Sequence, residues 1–385
     1  MTEKLYYQDS HLFAFTAVVT GCEERKGGWA VTLDRTAFFP EGGGQPADTG
    51  AIGPARVSDV HEKDGRILHY TDRPLTPGES LDCAVDEEQR RRRMQNHSGE
   101  HVVSGLVHQR FGYENVGFHM GADCMTMDYS GELSWEELME IEQQANAVVR
   151  ANLPVRTWFP EPAELSALVY RSKLDLSEGV RLVEIPGVDR CACCAPHVAA
   201  TGEIGVVKLL SAERHRGGVR VTCLCGLDAL EDYRKRQESV TAISQTLSVK
   251  RDDAAAAVER LLAEQARLKE KNAALGTALA RHMADSVPAG EGNLCLFDEL
   301  LDEISQRELV NLLMERTEGL AAVFCGSDET GWRYIIGSRR LDLRKNAREI
   351  NAGIGGRGGG SPAMIQGRAA FPAEMIRAFI IGYYI

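Results

Sequence analysis

The first part of the chain alternates apolar and polar side chains in short runs that Gly and Pro interrupt, as in Trp29–Leu33. A period of two is typical of strands with one buried face, and Gly and Pro mark the turns between them. The pattern therefore predicts a small β-barrel or half-barrel over about residues 1–85.

A helical period follows between Glu87 and Phe111, where apolar residues recur three and four positions apart. A second helix is predicted near Ser134–Ala151, because Ser134 and Glu137 have the spacing of a capping box. Short strands continue toward Leu210. We therefore expect a helix-on-sheet domain over residues 86–226, and an α+β protein overall.

Beyond this domain, apolar residues recur every seven positions, which is the spacing of a coiled-coil seam. They are Val240, Leu247, Ala254, Leu261, Leu268 and Leu275. The intervening positions that should complete the seam are mixed in character. The pattern predicts a helical spacer over residues 227–288. Two alternatives stay open: a helix that packs on its own domain, and a helical hairpin whose second arm is capped at Asp252-Asp253.

The last segment, residues 289–385, alternates helix-like and strand-like stretches around a glycine-rich loop at residues 351–364. We predict an α/β domain there. Glycines permit close backbone approach, and a helix starting after such a loop would offer free N–H groups to a phosphate. A flexible linker is the alternative interpretation of the same glycines.

Charge is distributed unevenly along the chain. The formal net charge of −12 argues against a general nucleic-acid binder, since phosphate contacts come from Lys and Arg. Residues 331–377, however, hold nine basic and three acidic residues, a local net charge of +6. The last domain therefore carries the basic residues from which phosphate contacts are expected.

Composition indicates a cytoplasmic location. The 385 residues, 43% of them hydrophobic, are enough for two or three domains with cores of their own. The start of the chain lacks the apolar stretch of a signal peptide, and no apolar run reaches the roughly 18 residues of a membrane span. The ten cysteines are therefore expected to be reduced thiols.

Two short segments suggest a metal site: HSGEH at residues 97–101 and CCAPH at residues 193–197. On a helix, the spacing of His97 and His101 places both imidazoles on one face, and Cys193 with His197 would complete a tetrahedron. Three imidazoles and one thiolate suit Zn²⁺ better than Mg²⁺ or Ca²⁺, while copper and iron remain open. The predicted cofactor is Zn²⁺.

The order and context of these segments carry a family resemblance. FFPEGGGQPADTG at residues 38–50 precedes them, and TGEIG at residues 201–205 follows them. Over residues 5–215 the chain resembles the long-form alanyl-tRNA editing proteins (AlaX), freestanding relatives of the editing domain of alanyl-tRNA synthetase. The resemblance implies a trans-editing hydrolase that deacylates mischarged tRNA(Ala), with serine as the expected amino acid. Whether glycine is removed as well stays open.

One motif departs from that family. Where its members usually have CGGTH, this chain has CCAPH, so the spacing is kept but glycine flexibility and a hydroxyl are lost. Cys191, Cys193 and Cys194 lie close together in sequence. We assign the ligand role to Cys193, because it alone has the i, i+4 relation to His197.

The glycine-rich loop near the C-terminus is similar to the GGGRPDMAQ loop of DHHA1 domains, which occur in alanyl-tRNA synthetase and in DHH-type phosphoesterases. No Asp-His-His motif occurs in the chain, so the resemblance implies tRNA binding and not phosphoester cleavage. The residues expected to contact tRNA are Gly43, Gly44, Arg344, Lys345, Arg357, Gly358, Gly359 and Gly360.

Hydrolysis of an aminoacyl ester needs a placed water and a stabilised oxyanion, which a metal can supply. The candidate catalytic residues are Thr36, which the resemblance places near the substrate side chain, Gln45, which matches the Gln of the glycine-rich motif, and Ser98, a weaker candidate. His119 also matches a position of the family. Polar groups aimed at a serine hydroxyl would be left unpaired by alanine, which gives discrimination that size alone cannot.

Four protein ligands would form a closed, structural type of site. For catalysis one ligand must leave, a fifth must be added, or the metal must mainly orient the substrate. The alternative function is therefore a non-catalytic, zinc-containing tRNA-binding protein. A homodimer formed through the helical spacer or the last domain is a further expectation.

Overall fold

A computed structural model describes residues 2–172 and 179–384 of the protein. The chain folds into two compact units, Met1–Ser239 and Val240–Ile385. Both units contain helices and strands, which confirms the predicted α+β class. Within the described part of the chain, no helix combines the length and the apolar character needed to cross a membrane.

The first unit begins with a barrel of six strands joined in the closed order β2-β3-β7-β6-β5-β8. Its interior is filled by side chains that alternate along each strand, among them Val19, Val31 and Val57, all buried. Two further short strands, β1 and β4, pair in parallel. The strands are β1 (Glu3–Lys4), β2 (Ala14–Arg25), β3 (Gly28–Leu33), β4 (Arg35–Thr36), β5 (Gly50–Ile52), β6 (Ala55–Lys63), β7 (Arg66–Thr71) and β8 (Ser80–Val85).

The helix after the barrel, α1 (Glu87–Phe111), has the predicted bounds. The carboxylate of Asp86 caps its start by accepting from the backbone N–H of Gln89, and Gly112 ends it in the left-handed conformation at φ 70°. Helix α2 (Trp135–Ala151) begins with the predicted capping box of Ser134 and Glu137.

Both helices pack on a four-stranded antiparallel sheet of order β14-β15-β10-β9. A three-stranded sheet, β11-β12-β13, lies beside them and carries the CCAPH segment at its end. The remaining elements of the unit are β9 (Asn115–Met120), β10 (Met125–Tyr129), β11 (Arg156–Trp158), α3 (Pro162–Leu165), β12 (Leu182–Ile185), β13 (Asp189–Ala192), β14 (Val207–His215), β15 (Gly218–Cys225) and α4 (Gly226–Thr246). Arg92 on α1 ties down the start of α4 through Asp228 and Glu231, each at 2.6 Å.

The second unit is built on a five-stranded sheet of order β16-β17-β18-β20-β19, in which only β16 and β17 run parallel. Helices cover both faces, with α6 on one and α7 and α8 on the other. The elements are α5 (Ala254–Ser286), β16 (Leu294–Asp298), α6 (Glu303–Met314), β17 (Ala321–Ser327), β18 (Gly331–Gly337), α7 (Leu343–Gly353), β19 (Gly356–Gly360), β20 (Met364–Ala369) and α8 (Ala373–Ile381).

The heptad region is not one continuous helix. The chain leaves α4 after Thr246 and makes a short 3₁₀ turn at Arg251–Asp253 before α5 begins. Asp253 occupies the N-cap position of α5, but its side chain makes no capping hydrogen bond. Leu261, Leu268 and Leu275 are about half-exposed. The coiled coil therefore stays a prediction.

The prediction of a glycine-rich loop at residues 351–364 is wrong, because most of this segment is helix or strand. Residues 351–353 end α7, and Gly356–Gly360 form β19, an edge strand paired along its whole length with β20. No helix starts directly after these glycines, so the expected cradle of helix N–H groups is absent. Gly358 is required where it lies, because a Cβ there would come within 2.1 Å of the Gln366 carbonyl oxygen.

A buried histidine makes the barrel sensitive to acid. His69 is fully buried; its Nδ1 donates to the Val31 carbonyl oxygen, and its Nε2 accepts from the Thr36 hydroxyl at 2.9 Å. Burial lowers the pKa of His69 to about 4. A histidine whose folded pKa lies below its unfolded value contributes stability above pH 6.5 and loses it as the pH falls toward 4.

We therefore expect a His69→Gln variant to lose less stability than the wild type between pH 7 and pH 4.5. Over this pH range the wild type should lose about 2–3 kcal/mol more of its free energy of unfolding than the variant does. Urea unfolding at both pH values measures the two losses. His61→Gln, at a half-exposed position on the same barrel, is the control. Equal acid sensitivity of the wild type and the His69 variant would contradict this account.

Candidate metal centre

Four side chains from distant parts of the first unit converge at one point: His97, His101, Cys193 and His197. One ligand atom from each lies within 4.8 Å of the others, and the three histidines are 2% exposed. Of the predicted site residues, these four are brought together as the sequence implied.

Local structure explains how each ligand reaches this point. His97 and His101 are one helical turn apart on α1, so their rings share a face of that helix. Cys193 follows directly after strand β13, and His197 lies in the irregular segment behind it. Arg181 holds that segment in place by donating to the carbonyl oxygens of Cys193 and Ala195.

The distances fit a tetrahedral ion. The Cys193 Sγ lies 3.5 Å from His97 Nε2 and 3.4 Å from His197 Nε2. Zinc bonds of about 2.3 Å to sulfur and 2.0–2.1 Å to nitrogen, at a tetrahedral angle, place sulfur and nitrogen about 3.5 Å apart. These two distances therefore match those of a tetrahedral metal site.

Each imidazole is oriented by a hydrogen bond at its other nitrogen. His97 Nδ1 donates to Gln45 Oε1 at 2.9 Å, His101 Nδ1 to Asp189 at 2.8 Å, and His197 Nδ1 contacts the Ser98 hydroxyl at 3.0 Å. Such outer partners fix the tautomer, leaving Nε2 as the metal-facing atom. Gln45 and Ser98, predicted as catalytic residues, thus contact the imidazoles of the cluster.

The three cysteines of the segment differ in acidity. Burial raises the pKa of Cys193, but the neighbouring His97 and His197 outweigh it and hold the pKa of this thiol well below its ordinary value. Burial raises the pKa of the Cys191 thiol, and of the Cys194 sulfur, to about 11. Because the thiolate is the ligand form, these surroundings favour Cys193 as the sequence spacing did.

A second group, His101, Asp189 and Cys191, also has ligand atoms within 4.8 Å of one another. Its carboxylate is already engaged, since Asp189 accepts from His101 and, at 2.7 Å, from Arg171 Nε. The raised pKa of Cys191 also disfavours the thiolate form that binds metals. We therefore interpret this group as the hydrogen-bonding environment that orients His101, and not as a second metal site.

A tight glycine turn presents Gln45 to the cluster. Gly42 and Gln45 exchange two backbone hydrogen bonds, and the residues between them, Gly43 and Gly44, have φ values of 61° and 82°. Two successive positive φ angles are typical of a two-residue hairpin that other residues adopt poorly. At Gly44 a Cβ would also lie 2.5 Å from the Phe118 carbonyl oxygen.

A buried ion pair fixes the end of the same segment to α1. Arg90 and Asp48 are 0% and 1% exposed, and Arg90 Nε lies 3.0 Å from both carboxylate oxygens. Asp48 also accepts from the backbone N–H of Phe39 at 2.6 Å. The ion pair thereby fixes the turn that carries Gln45 in position relative to the helix that carries His97.

A cavity of about 220 Å³ opens beside the cluster. It is lined by His97, His101 and Cys193, and by Gly43 from the glycine turn. The other lining residues include Tyr7, Glu100, Phe159, Arg171 and Arg181. Three of the four clustered side chains therefore border a space in which a small molecule can be bound.

Two predicted residues lie away from this cavity. Thr36 is fully buried in the barrel, where its hydroxyl contacts His69 and accepts from the backbone N–H of Phe38, and it does not line the cavity. His119 is exposed on β9. The position of Thr36 gives no support to its predicted contact with a substrate side chain.

Sequence reasoning missed several residues of the site. Glu100 is 4% exposed, lines the cavity and accepts from Ser104 and Asn115. Asp189, Arg171 and Arg181 are also part of the site. Only Glu100 had a signal in the sequence, because it lies inside the HSGEH segment.

The predicted tRNA-contacting residues of the last domain lie in the second unit. Arg344 and Lys345 are exposed in the first turn of α7, and Arg357 and Gly358–Gly360 are exposed on β19.

Comparison with known proteins agrees with the sequence resemblance. Residues 180–221 match the second additional domain of threonyl and alanyl tRNA synthetases. The chain is 32% identical to the alanine–tRNA ligase of Natronomonas pharaonis over 95% of its length, and 33% identical to that of Halobacterium salinarum over 87%. The alanine–tRNA ligase of Methanopyrus kandleri is 30% identical over 96% of the chain.

The matched part is less than half of each relative: 42%, 38% and 43% of their lengths, in the same order. The family domain covers β12, β13 and the CCAPH segment, the region that supplies Cys193 and His197 to the cluster. The relationship predicted from the motifs is confirmed: the chain is related to the editing region of alanyl-tRNA synthetases, as an AlaX-like editing protein is.

Proposed function

We propose that the protein is a zinc-dependent deacylase of mischarged tRNA(Ala), which removes serine and also glycine. The observation that carries this proposal is the convergence of His97, His101, Cys193 and His197 at one point, with the first three of them lining a cavity. The relationship to alanine–tRNA ligases supports tRNA(Ala) as the RNA.

A bound zinc ion would supply a Lewis acid that polarises the ester carbonyl and lowers the pKa of a water. The protein's part is to orient and bind. Gln45, Asp189 and Ser98 hold the imidazoles in position. Among the described residues, the Gln45 Nε2 amide group is buried without a hydrogen-bond partner.

The test is direct. Purified protein is incubated with Ser-, Gly- and Ala-tRNA(Ala), with and without a chelator, and ester loss is followed over time. We expect Ser-tRNA(Ala) and Gly-tRNA(Ala) to be hydrolysed, Ala-tRNA(Ala) to be spared and the chelator to stop the reaction. Hydrolysis that is indifferent to the chelator, or that includes Ala-tRNA(Ala), would refute the proposal.

The closed set of four donors favours a second candidate, a tRNA-binding protein whose metal is structural. In the same assay this candidate predicts tRNA binding with no ester loss for any of the three substrates. Removal of the metal should then lower the stability of the first unit.

We further propose that the second unit contacts tRNA through a row of arginines. Arg357 on β19 lies directly opposite Arg368 on β20, which in turn lies opposite Arg333 on β18. Arg333 donates to Gln306 and to the Leu301 carbonyl oxygen. In the described part of the chain, Arg357 and Arg368 form no ion pair, and both are exposed. Like charges directly opposite on a sheet repel, which an RNA phosphate would relieve.

Replacing both Arg357 and Arg368 by Gln should weaken tRNA binding and lower the slope of log Kd against log salt concentration by about two, one for each lost phosphate contact. Filter binding at several salt concentrations measures this slope. Arg267→Gln, at an exposed position already paired with Glu264, is the control. An unchanged slope in the double variant would place the tRNA contacts elsewhere.

Self-association is the remaining proposal. The half-exposed Leu261, Leu268 and Leu275 recur along α5 at heptad spacing, as an interface between two helices requires. Sedimentation of the wild type and of a Leu268→Glu variant decides it: a dimer that dissociates in the variant supports the proposal, and a wild-type monomer refutes it.

A further inference from the structure

An exposed aromatic ring shares the cavity with the metal cluster. Phe159 lines this cavity together with Tyr7, His97 and Cys193, and half of its surface, 50%, is accessible. The centroids of the Tyr7 and Phe159 rings lie 5.3 Å apart, and the angle between the ring planes is 74°. A large apolar ring accessible at a cavity wall is a surface on which a flat ligand can stack.

The sheet fixes this ring relative to the metal ligands. Trp158 on β11 pairs with Leu182 on β12, which pairs with Ala192 on β13. One residue further along these strands come Phe159, Arg181 and Cys193, and the Cys193 backbone N–H donates to the Arg181 carbonyl oxygen. Neighbouring strands are about 4.8 Å apart, so the backbone at Phe159 lies roughly 10 Å from that at Cys193.

Positive charge lies next to the aromatic pair. The Arg181 guanidinium is 5.3 Å from the centroid of the Tyr7 ring, and Lys4 Nζ is 5.5 Å from it. Lys4 is also paired with Glu62 at 2.8 Å. Stacking surface and cations together are the combination by which proteins bind single-stranded nucleotides.

We propose that Phe159, backed by Tyr7 and Arg181, is the binding site for the terminal nucleobase of the aminoacylated RNA. This inference rests on the proposed function. The ester is carried by the terminal ribose, so a carbonyl placed at the metal ligands brings the attached base to within one nucleoside length of them. Phe159 lies at that separation, and its face stacks on a base without reading its hydrogen-bonding edge.

The test compares two RNA probes that carry no amino acid: the trinucleotide CCA, and the same trinucleotide with an abasic last residue. The wild type should bind CCA more tightly. Phe159→Ala should remove this preference by weakening CCA binding about 5- to 100-fold, which corresponds to about 1–3 kcal/mol for one stacked base. Phe159→Trp should restore it. Trp135→Ala, which removes an exposed aromatic residue that does not line this cavity, is the matched control.

Equal binding of the two probes by the wild type, or an unchanged preference in Phe159→Ala, would overturn the inference. The two proposals fail separately. Loss of the preference in Phe159→Ala, in a protein that hydrolyses no aminoacyl-tRNA, would leave a base-binding site without the deacylase. Hydrolysis of Ser-tRNA(Ala) at an unchanged KM by Phe159→Ala would keep the deacylase and refute the base site. Circular dichroism and zinc content of each variant show that the fold is retained.

Discussion

Replacement of Cys193 by alanine should lower zinc affinity by about 100-fold or more and abolish deacylation. Structural zinc sites bind the ion with a free energy of about 10–16 kcal/mol in total. One ligand of four accounts for about a quarter of that, about 3 kcal/mol, which corresponds to a factor of about 100 in the dissociation constant. His97→Ala, His101→Ala and His197→Ala should have similar effects. Zinc content after dialysis, and competition with a chromogenic chelator, measure them.

The neighbouring cysteines provide matched controls. Cys191→Ala and Cys194→Ala should retain the metal, because surroundings that raise the pKa of these thiols disfavour the thiolate form. Loss of zinc in Cys194→Ala with retention in Cys193→Ala would reverse the ligand assignment.

Replacement of Arg90 by methionine should destabilise the first unit by about 3–5 kcal/mol, because it removes the cation that pairs most closely with the buried carboxylate of Asp48. Arg93, 3.6 Å from Asp48 Oδ1, is then the remaining charged partner. The Arg90 guanidinium also donates to the carbonyl oxygens of Ser10 and Ala37, which would lose these bonds. Urea unfolding measures the change in the free energy of unfolding. Zinc affinity should fall as well, since the segment holding Gln45 is no longer fixed to α1.

Arg25→Met is the control for this prediction. Arg25 pairs with Glu23 on the surface of the barrel, where both side chains are more than half exposed. Exposed ion pairs contribute about 0–1 kcal/mol, so this variant should unfold almost as the wild type does. A similar loss in both variants would mean that the Arg90 pair contributes no more than a surface pair.

Local patterns predicted local structure well in the first unit. Helix α1 has the predicted bounds because its start and end carry their own signals, Asp86 and Gly112. The convergence of His97, His101, Cys193 and His197 was also predictable from spacing and motif order. Patterns were less informative where pairing partners are far apart in sequence: Gly356–Gly360 is a strand only because β20 pairs with it, and glycines carry no strand signal of their own.

The residues around the metal ligands could not be predicted for a related reason. Asp189 and Arg171 reach His101 only through the fold of the three-stranded sheet, and nothing in their sequence neighbourhoods indicates a shared site. Thr36 shows the opposite case: a family motif suggested a substrate contact, whereas the barrel places its hydroxyl against His69.

The position of β19 at the edge of its sheet has a consequence for solubility. An edge strand exposes backbone N–H and C=O groups to which another chain can add, and glycines shield them poorly. Arg357 lies in the middle of this strand, and a second copy approaching the same edge would bring an equal charge against it. We infer that Arg357 also keeps the sheet from extending between molecules. An Arg357→Val variant should therefore aggregate more than the wild type, and more than an Arg357→Gln variant.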